Sequence, residues 1–482
     1  MTPKNINEKR NVVPFHVFAV RGEYFLFDTT NCRFFRIDRL THDFLILYAS
    51  LGLRKAKIII KENGQTSHEM LERFLVEFKT MREFGLFDTI KSYMNLSSAK
   101  RKLKKQDFTH SIQDVQLILT EKCNLSCRYC YCRSEEKRSI ISRDKEMNRP
   151  CAKGAVDFLL RQGTNAPILT FFGGEPLMNK ELMYFLMDYS AREAKTAGKD
   201  LRYVITTNAT LLDDQSINCI VDNNFGLLVS LDGPQKLHDW QCPTKSGNGS
   251  YKTAMRNIKK LMEKRPVDVR ATLAHPLPDI EKLIKFFLRN GFRNIVLGIA
   301  SNRKESPSAY DLSCDDLRSL CEQIEHILPW MENYLIRKKS FPPYFMHERW
   351  YTAIKDGRIY PTEIIFNCGA AHSTVGVDTN GVLYPCAKFC GLEKWKIGNV
   401  SHGLDGHKCK KLWFQFLQCI KPFCGKCWAY PICGGPCIWE CAEDDGTFVF
   451  NNSKCDFVKR NIEFSAYLYF KVQKHSVCSQ QA

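Results

Sequence analysis

The sequence predicts an α/β protein in which strand-and-helix units form a partial (β/α)6 barrel, with a winged-helix-like domain before it and a Cys-rich domain after it. Three observations carry that expectation. Six apolar runs, VQLILT, ILTFFGGE, RYVITTN, GLLVSLDG, DVRATLA and NIVLGIA, alternate with amphipathic helical stretches between residues 113 and 305, the spacing that parallel strands with crossover helices require. Three short aromatic-rich runs and two helical patterns precede them. Past Cys368, Cys, Gly and Pro crowd together and long helical patterns stop.

The N-terminal unit, residues 1–95, opens with FHVFAVRG, YFLFDTT and RFFRID, joined at RGEY and TTNCR by residues suited to tight hairpins. Three strands follow from that. THDFLILYASLG then reads as a helix with Thr41 as its N-cap and Gly52 as its stop, and the next pattern places Leu71, Leu75, Phe78 and Met81 at helical spacing. Residues 96–112 read as a basic linker, because NLSSAKRKLKKQD carries almost no apolar periodicity. The barrel occupies 113–305, a connecting helical segment 306–367, the Cys-rich domain 368–460 and a tail 461–482. Each barrel run ends in polar or Gly-rich residues, and the carboxyl ends of parallel strands are where active sites gather.

Composition narrows the classes. With 482 residues, 44% hydrophobic and 25% charged, the chain has the balance of a globular protein of about two to four domains. No apolar run approaches the roughly eighteen residues of a membrane span, and MTPKNINEKRNVVPF lacks the apolar core of a secretory signal. The expected location is cytoplasmic. There, the 22 cysteines point to metal ligation or redox chemistry rather than disulfides. Cys32, Cys219, Cys314, Cys321 and Cys478 stand alone and read as small hydrophobes. A net charge of +18 suits nucleic acid, an acidic peptide, an acidic membrane surface or simple solvation, and does not choose among them.

The segment CNLSCRYCYC, residues 123–132, follows directly on VQLILT. Cys123, Cys127 and Cys130 form C-x3-C-x2-C, and three thiolates on one loop can hold three irons of a [4Fe-4S] cluster while the fourth iron stays open to substrate. A zinc site is the rival, but structural zinc favours tighter C-x2-C pairs and four closed ligands. Cys132 reads as a packed bystander.

With Tyr129 before its last cysteine, this loop resembles the signature of radical S-adenosylmethionine (SAM) enzymes. FFGGEPLM, with Gly173, Gly174, Glu175 and Pro176, resembles the family's GGEP segment. Glycine lets the backbone approach a ligand closely, and a carboxylate can receive the methionine ammonium. TTNATLL, with Asn208, and SLDGP, with Ser230, resemble the next two strand ends. The resemblance implies that Tyr129, Asn208 and Ser230 join the GGEP residues in binding the cofactor, Ser230 toward its methionine or ribose end. Many relatives carry Arg where this chain has Cys242, and His238 reads equally as a surface histidine or a functional one.

Cys368, Gly381 and Cys386, then Cys424, Cys427, Cys433 and Cys437 as C-x2-C-x5-C-x3-C, then Cys455, resemble the SPASM extension of these enzymes. That resemblance implies a C-terminal iron-sulfur domain with two auxiliary clusters. Cys424, Cys427, Cys433 and Cys455 would surround one, and Cys368, Cys386 and Cys437 three corners of the other. Cys390 or a substrate would fill the fourth corner, leaving Cys409, Cys419 and Cys441 as bystanders. The cofactors implied are three [4Fe-4S] clusters and S-adenosyl-L-methionine.

The N-terminal unit resembles the PqqD-like domain that recognises leader peptides by strand addition. Together the resemblances imply a peptide maturase of the sactipeptide or ranthipeptide (SCIFF) type. It would form a thioether in a Cys-rich precursor peptide bound through its leader, with a flavodoxin- or ferredoxin-like electron donor and neither membrane nor nucleic acid as partner. Sulfatase maturation is disfavoured, because those enzymes carry Asp where Ala387 follows Cys386. Carbon-carbon crosslinking stays open. So does, in another class, a non-catalytic iron-sulfur redox or nucleic-acid-binding protein.

Overall fold

The computed structural model describes residues 14–62, 68–83, 85–86, 92–108, 111–133, 144–300, 303, 308–338, 348–357, 366 and 368–478. The first thirteen residues of the N-terminal unit and the last four of the tail lie outside them. Strands β1 (Phe15–Val20), β2 (Glu23–Asp28) and β3 (Arg33–Ile37) form an antiparallel sheet. Arg21 and Gly22 both take positive φ, 48° and 75°, as a two-residue hairpin between right-twisted strands demands. Helices α1 (Arg39–Leu51), α2 (Leu53–Glu62) and α3 (His68–Glu83) follow.

Helix α1 starts earlier than Thr41. Asp38 is its N-cap and accepts the Thr41 amide at 2.7 Å, while Gly52 ends it at φ 80°. Side chains of the sheet alternate as the pleat requires. Phe15 and Leu26 pack with Phe44, Phe74 and Phe78 on one face, and Phe18, Phe25 and Phe27 join the main core on the other.

The stretch read as a basic linker is helix α4 (Leu96–Lys105). Asn95 caps it, accepting the Ser98 amide at 3.0 Å; Leu103 is buried, and the helix packs on α13 (Gly406–Cys424). One buried leucine among lysines leaves too faint a periodicity to read without the partner helix.

The six apolar runs are β4 (Ile112–Thr120), β5 (Gly163–Gly173), β6 (Arg202–Thr207), β7 (Gly226–Ser230), β8 (Asp268–Leu273) and β9 (Ile295–Ile299), all parallel and in that order. Helices α5 (Arg149–Gln162), α6 (Lys180–Thr196), α7 (Asp214–Asp222), α8 (Gln235–Gln241), α9 (Tyr251–Met262) and α10 (Ile280–Arg289) connect them. Continuous apolar strands such as Leu117, Ile118 and Leu119 suit a sheet covered on both faces.

The Cys-rich region does not stand apart from this barrel. Strand β10 (Thr374–Val377) pairs in parallel with β4, Val375 opposite Val115, and β11 (Val382–Tyr384), β12 (Gly398–Asn399) and β13 (Gly403–Leu404) continue the sheet. Nor do long helices stop. Helix α13 buries Leu412, Trp413, Phe416, Leu417 and Ile420, and α14 (Tyr430–Cys433) is a single turn. The expected tail belongs to α15 (Cys455–Cys478), which packs on α11 (Cys314–Lys338), α12 (Glu348–Lys355) and β1. No described helix is long and apolar enough to cross a membrane.

Candidate functional site

The cysteine loop leaves β4 at its carboxyl end, where β5 meets it. Glycine is obligatory at that meeting. A Cβ on Gly174 would lie 2.1 Å from the Lys122 carbonyl oxygen and one on Gly173, whose φ is +142°, 2.3 Å from that of Thr120. The amides of Gly174 and Glu175 bond the carbonyls of Thr120 and Lys122, so the GGEP segment clamps the loop to the barrel. Pro176 then begins a short 3-10 turn.

Glu175 is buried, and its carboxylate has three donors. Oε1 accepts the Thr207 hydroxyl at 2.7 Å and the Leu177 amide at 3.1 Å; Oε2 accepts the Asn208 amide at 2.8 Å. Of about four lone-pair positions on a carboxylate, one on Oε2 is left. Burial pushes its pKa up against those donors. Asn208 in turn donates to Asn124 Oδ1 at 3.0 Å, tying β6 to the cysteine loop. Ser230 ends β7 half-buried, opposite Arg270 of β8.

Cys127 and Cys130 lie within electrostatic reach of Cys123; burial first, then Glu175 and these two thiols, push the Cys123 thiol up to about 12. The Tyr129 hydroxyl donates to Asp232 Oδ2 at 2.8 Å, so its polar tip is engaged and the ring carries any role in cofactor contact. Cys132 is packed, buried beside Cys130 in the 3-10 turn Tyr131–Arg133.

His238 is neither exposed nor in a loop. It lies in α8 at 1% exposure, its Nδ1 3.1 Å from the Asp232 amide and its Nε2 3.1 Å from Ser250 Oγ, and burial lowers its pKa. Cys242, Asp232 and Asn124 are site residues that the motif reading left without a role. Their signal was present in HDWQCP, SLDGP and CNLSC, but which atoms they reach depends on how the strand ends converge.

Two further cysteine sets assemble on the added strands and helices. Cys424, Cys427, Cys433 and Cys455 line a cavity of about 200 Å³ with Cys437, Lys454 and Lys459, several times the roughly 30 Å³ that one water occupies. Cys368, Cys386 and Cys437 lie within electrostatic reach of one another. Desolvation is the main cause raising Cys368 to about 11 and Cys386 to about 12. Cys390 is buried beside Cys386, its Sγ 4.0 Å from the Cys386 carbonyl. Cys441 lies near both Cys437 and Cys424, between the sets, and Cys409 is buried away in α13.

The loop and the second set meet through aromatic rings. Tyr131 stands edge-on to Trp439, centroids 5.4 Å apart, and Lys388 Nζ lies 4.6 Å from the centre of the Trp439 ring. Clustered thiols, from buried Cys123 and Cys424 to exposed Cys368 and Cys437, suit a cationic iron cluster, because iron relieves the charge that their thiolates would otherwise bring together. The residues present fit such groups.

A family model described as the radical SAM superfamily matches residues 117–287. The chain carries a radical SAM domain. A cysteine-type anaerobic sulfatase-maturating enzyme of Clostridium novyi is 24% identical, over 66% of this chain and 85% of its own length. An uncharacterized protein of Archaeoglobus fulgidus is 24% identical over 74% of this chain and 82% of its own.

Among solved structures, anSMEcpe with bound AdoMet and the Cp18Cys peptide superposes with TM-score 0.60 at 18% identity, covering 75% of this chain and 99% of that one. SuiB of Streptococcus suis bound to precursor peptide SuiA superposes with TM-score 0.50 at 16% identity, covering 92% and 100%. These are likenesses of fold: a radical SAM partial barrel with a small N-terminal domain and a Cys-rich C-terminal region. The radical SAM domain spans β4 to α10 and contains the cysteine loop and the GGEP clamp.

Proposed function

We propose that this chain is a radical SAM peptide maturase that joins a cysteine sulfur of a Cys-rich precursor peptide to a carbon as a thioether. The observation that carries the reading is the N-terminal sheet. Its β1 edge is covered, since Arg460 of α15 donates to the Ala19 carbonyl at 3.1 Å, whereas β3 is the other edge and has no strand beyond it among the described residues, with Arg33 and Arg36 exposed and Phe34, Phe35 and Ile37 half-buried. An edge with no neighbouring strand beside a covered one suits addition of one extended leader segment. The relatives' own peptide complexes agree with such a substrate.

Cys123, Cys127 and Cys130 would hold the [4Fe-4S] cluster, and the two SPASM-like sets the auxiliary clusters. With S-adenosylmethionine bound, the cofactors supply a 5'-deoxyadenosyl radical able to take hydrogen from an unactivated carbon. The chain's own work is positional. Gly173 and Gly174 let the loop close on the barrel, Glu175 locks two strand ends, and Asn208 holds the loop through Asn124. Cys368, Cys386 and Cys437 offer three ligands and leave a corner for a peptide thiolate, which is why thioether formation is preferred to carbon-carbon crosslinking.

Anaerobic reconstitution with reductant and S-adenosylmethionine tests the reading. 5'-Deoxyadenosine should form, and a Cys-rich peptide encoded beside the gene should lose two hydrogens by mass spectrometry and resist thiol alkylation. Absence of 5'-deoxyadenosine removes the enzyme reading; hydrogen loss with every thiol still alkylable removes the thioether.

A further inference from the structure

The turn after Cys386 carries a cation without an anion. Lys388 lies half-buried in the 3-10 turn Ala387–Phe389, and among the described residues no carboxylate pairs with it. Its ammonium stands by two rings instead, 4.6 Å from the centre of Trp439 and 5.6 Å from that of Tyr131. Trp439 is 4% exposed, and its Nε1–H has no acceptor. Two donors thus lie side by side, one of them charged, and neither has a hydrogen-bond acceptor.

Their place is where the two cysteine groups face each other. Tyr131 follows Cys130 and Trp439 comes two residues after Cys437, and the two rings touch edge to face. A peptide thiolate at the open corner of Cys368, Cys386 and Cys437 would bring its neighbouring residues past this cation. The backbone beneath Lys388 is fixed. The Ala387 amide donates to Gln116 Oε1 of β4 at 2.9 Å, and the Phe389 amide to the Cys386 carbonyl at 3.0 Å. Gly376 of β10 lets the turn lie close, since a Cβ there would come within 2.6 Å of the Cys386 carbonyl carbon. A cation presented from fixed backbone loses little freedom when an anion binds.

The chemistry of the missing partner follows from the donors. A carboxylate is negative and only accepts, which matches an ammonium beside an indole N–H. A peptide carbonyl would answer Trp439 but leave the charge unmatched. The rings also keep water from part of the ammonium, which strengthens its attraction to an anion over that in open solvent.

We propose that Lys388, with Trp439 beside it, receives the carboxylate of an Asp or Glu close to the modified cysteine of the peptide, and so selects which cysteine of a Cys-rich substrate is presented. The proposal rests on the peptide-maturase reading. The rival role is local: the charge of Lys388 also favours the Cys386 thiolate, and a lysine serving only that end would not distinguish one peptide from another.

The test uses the full-length chain, reconstituted anaerobically, and the Cys-rich peptide encoded beside its gene, with binding read by fluorescence anisotropy of the labelled peptide before S-adenosylmethionine is added. Exchanging the acid near the modified cysteine for its amide should weaken binding to the parent chain about tenfold, and Lys388→Gln should weaken binding of the parent peptide about as much. Lys388→Gln should then bind acid and amide peptides alike, and Lys388→Arg should restore most of the preference. Equal losses on amide exchange in the parent chain and in Lys388→Gln overturn the proposal, as does a substrate with no acidic residue near its modified cysteine. A Lys388→Gln variant that changes only the auxiliary iron-sulfur signals assigns the lysine to Cys386 and overturns it too. If Lys388→Gln cannot hold iron, the parent chain and Lys388→Arg decide: an acid preference in both supports the proposal, and its absence from either overturns it. Formation of 5'-deoxyadenosine reports on the maturase reading separately. Where it forms and the peptides bind alike, the proposal alone falls; where it does not form, the maturase reading falls and takes the proposal with it.

Discussion

The imidazole of His16 lies flat on the indole of Trp428, with ring centroids 3.7 Å apart and planes 8° from parallel. Its Nε2 also meets Glu463 Oε1 at 2.8 Å. Strand β1, helix α15 and the residue after Cys427 are thus joined at one point, and the N-terminal sheet is docked on the cysteine-rich region.

That docking should be measurable. A double-mutant cycle with His16→Ala and Trp428→Ala, read by calorimetric unfolding of the anaerobically prepared chain, should give a coupling of about 0.5–1.5 kcal/mol for the stacked pair. Coupling near zero would mean that the two regions do not hold each other through this contact.

Gly174→Ala should displace the cysteine loop, because the new Cβ meets backbone and not a side chain that can swing away. The variant should lose about one cluster's share of iron and sulfide while the auxiliary signals persist. Gly22→Ala, where a Cβ meets nothing within 4 Å though φ is positive, serves as the control and should leave iron content unchanged.

Helix α4 can be tested as a helix. Asn95→Ala removes the cap on the Ser98 amide and should cost about 1 kcal/mol. Leu103→Ala, which empties a buried position against α13, should cost about 2–4 kcal/mol. Effects within experimental error at both positions would return the segment to a connector.

Cys409 makes a prediction about pH. Burial first, and Asp405 second, push its thiol from 9.0 up to about 12. The unfolded chain releases that proton near 9.0 and the folded chain holds it, so Cys409 lowers stability as pH rises from 9.0 toward 12. Cys409→Ala should flatten that alkaline decline. Iodoacetamide at pH 8 should label exposed Cys314 well before Cys409, because the thiolate is the reactive form.

Much of the fold was legible because it is written in local pattern. The apolar runs that became β4 to β9 carry their own pattern, continuous burial at the end of β4 and alternation in β6 to β9, and the hairpin at Arg21-Gly22 is encoded in two residues. Segments whose burial comes from a distant partner were hidden. Strand β10 is four residues long, and its pairing on both sides, residues 374–377 in register with 114–117 of β4 and Gly376 and Val377 opposite Tyr384 and Leu383 of β11, makes it a strand. The tail became a helix because α11 and α12 cover it.

The candidate site divides along the same line. Cysteine spacing and the GGEP and SPASM-like orders are one-dimensional, and by themselves they carried the expectation of metal chemistry and of how the thiols group. Tertiary structure decided what each polar atom does: Glu175 spends most of its carboxylate on Thr207, Leu177 and Asn208; His238 is locked between Asp232 and Ser250; Cys132 and Cys242 stand against Cys130 and Cys127. The reason is physical. A ligand motif constrains residues near one another along the chain, whereas a buried hydrogen bond is set where strand ends from distant segments converge, and only the folded chain brings those together.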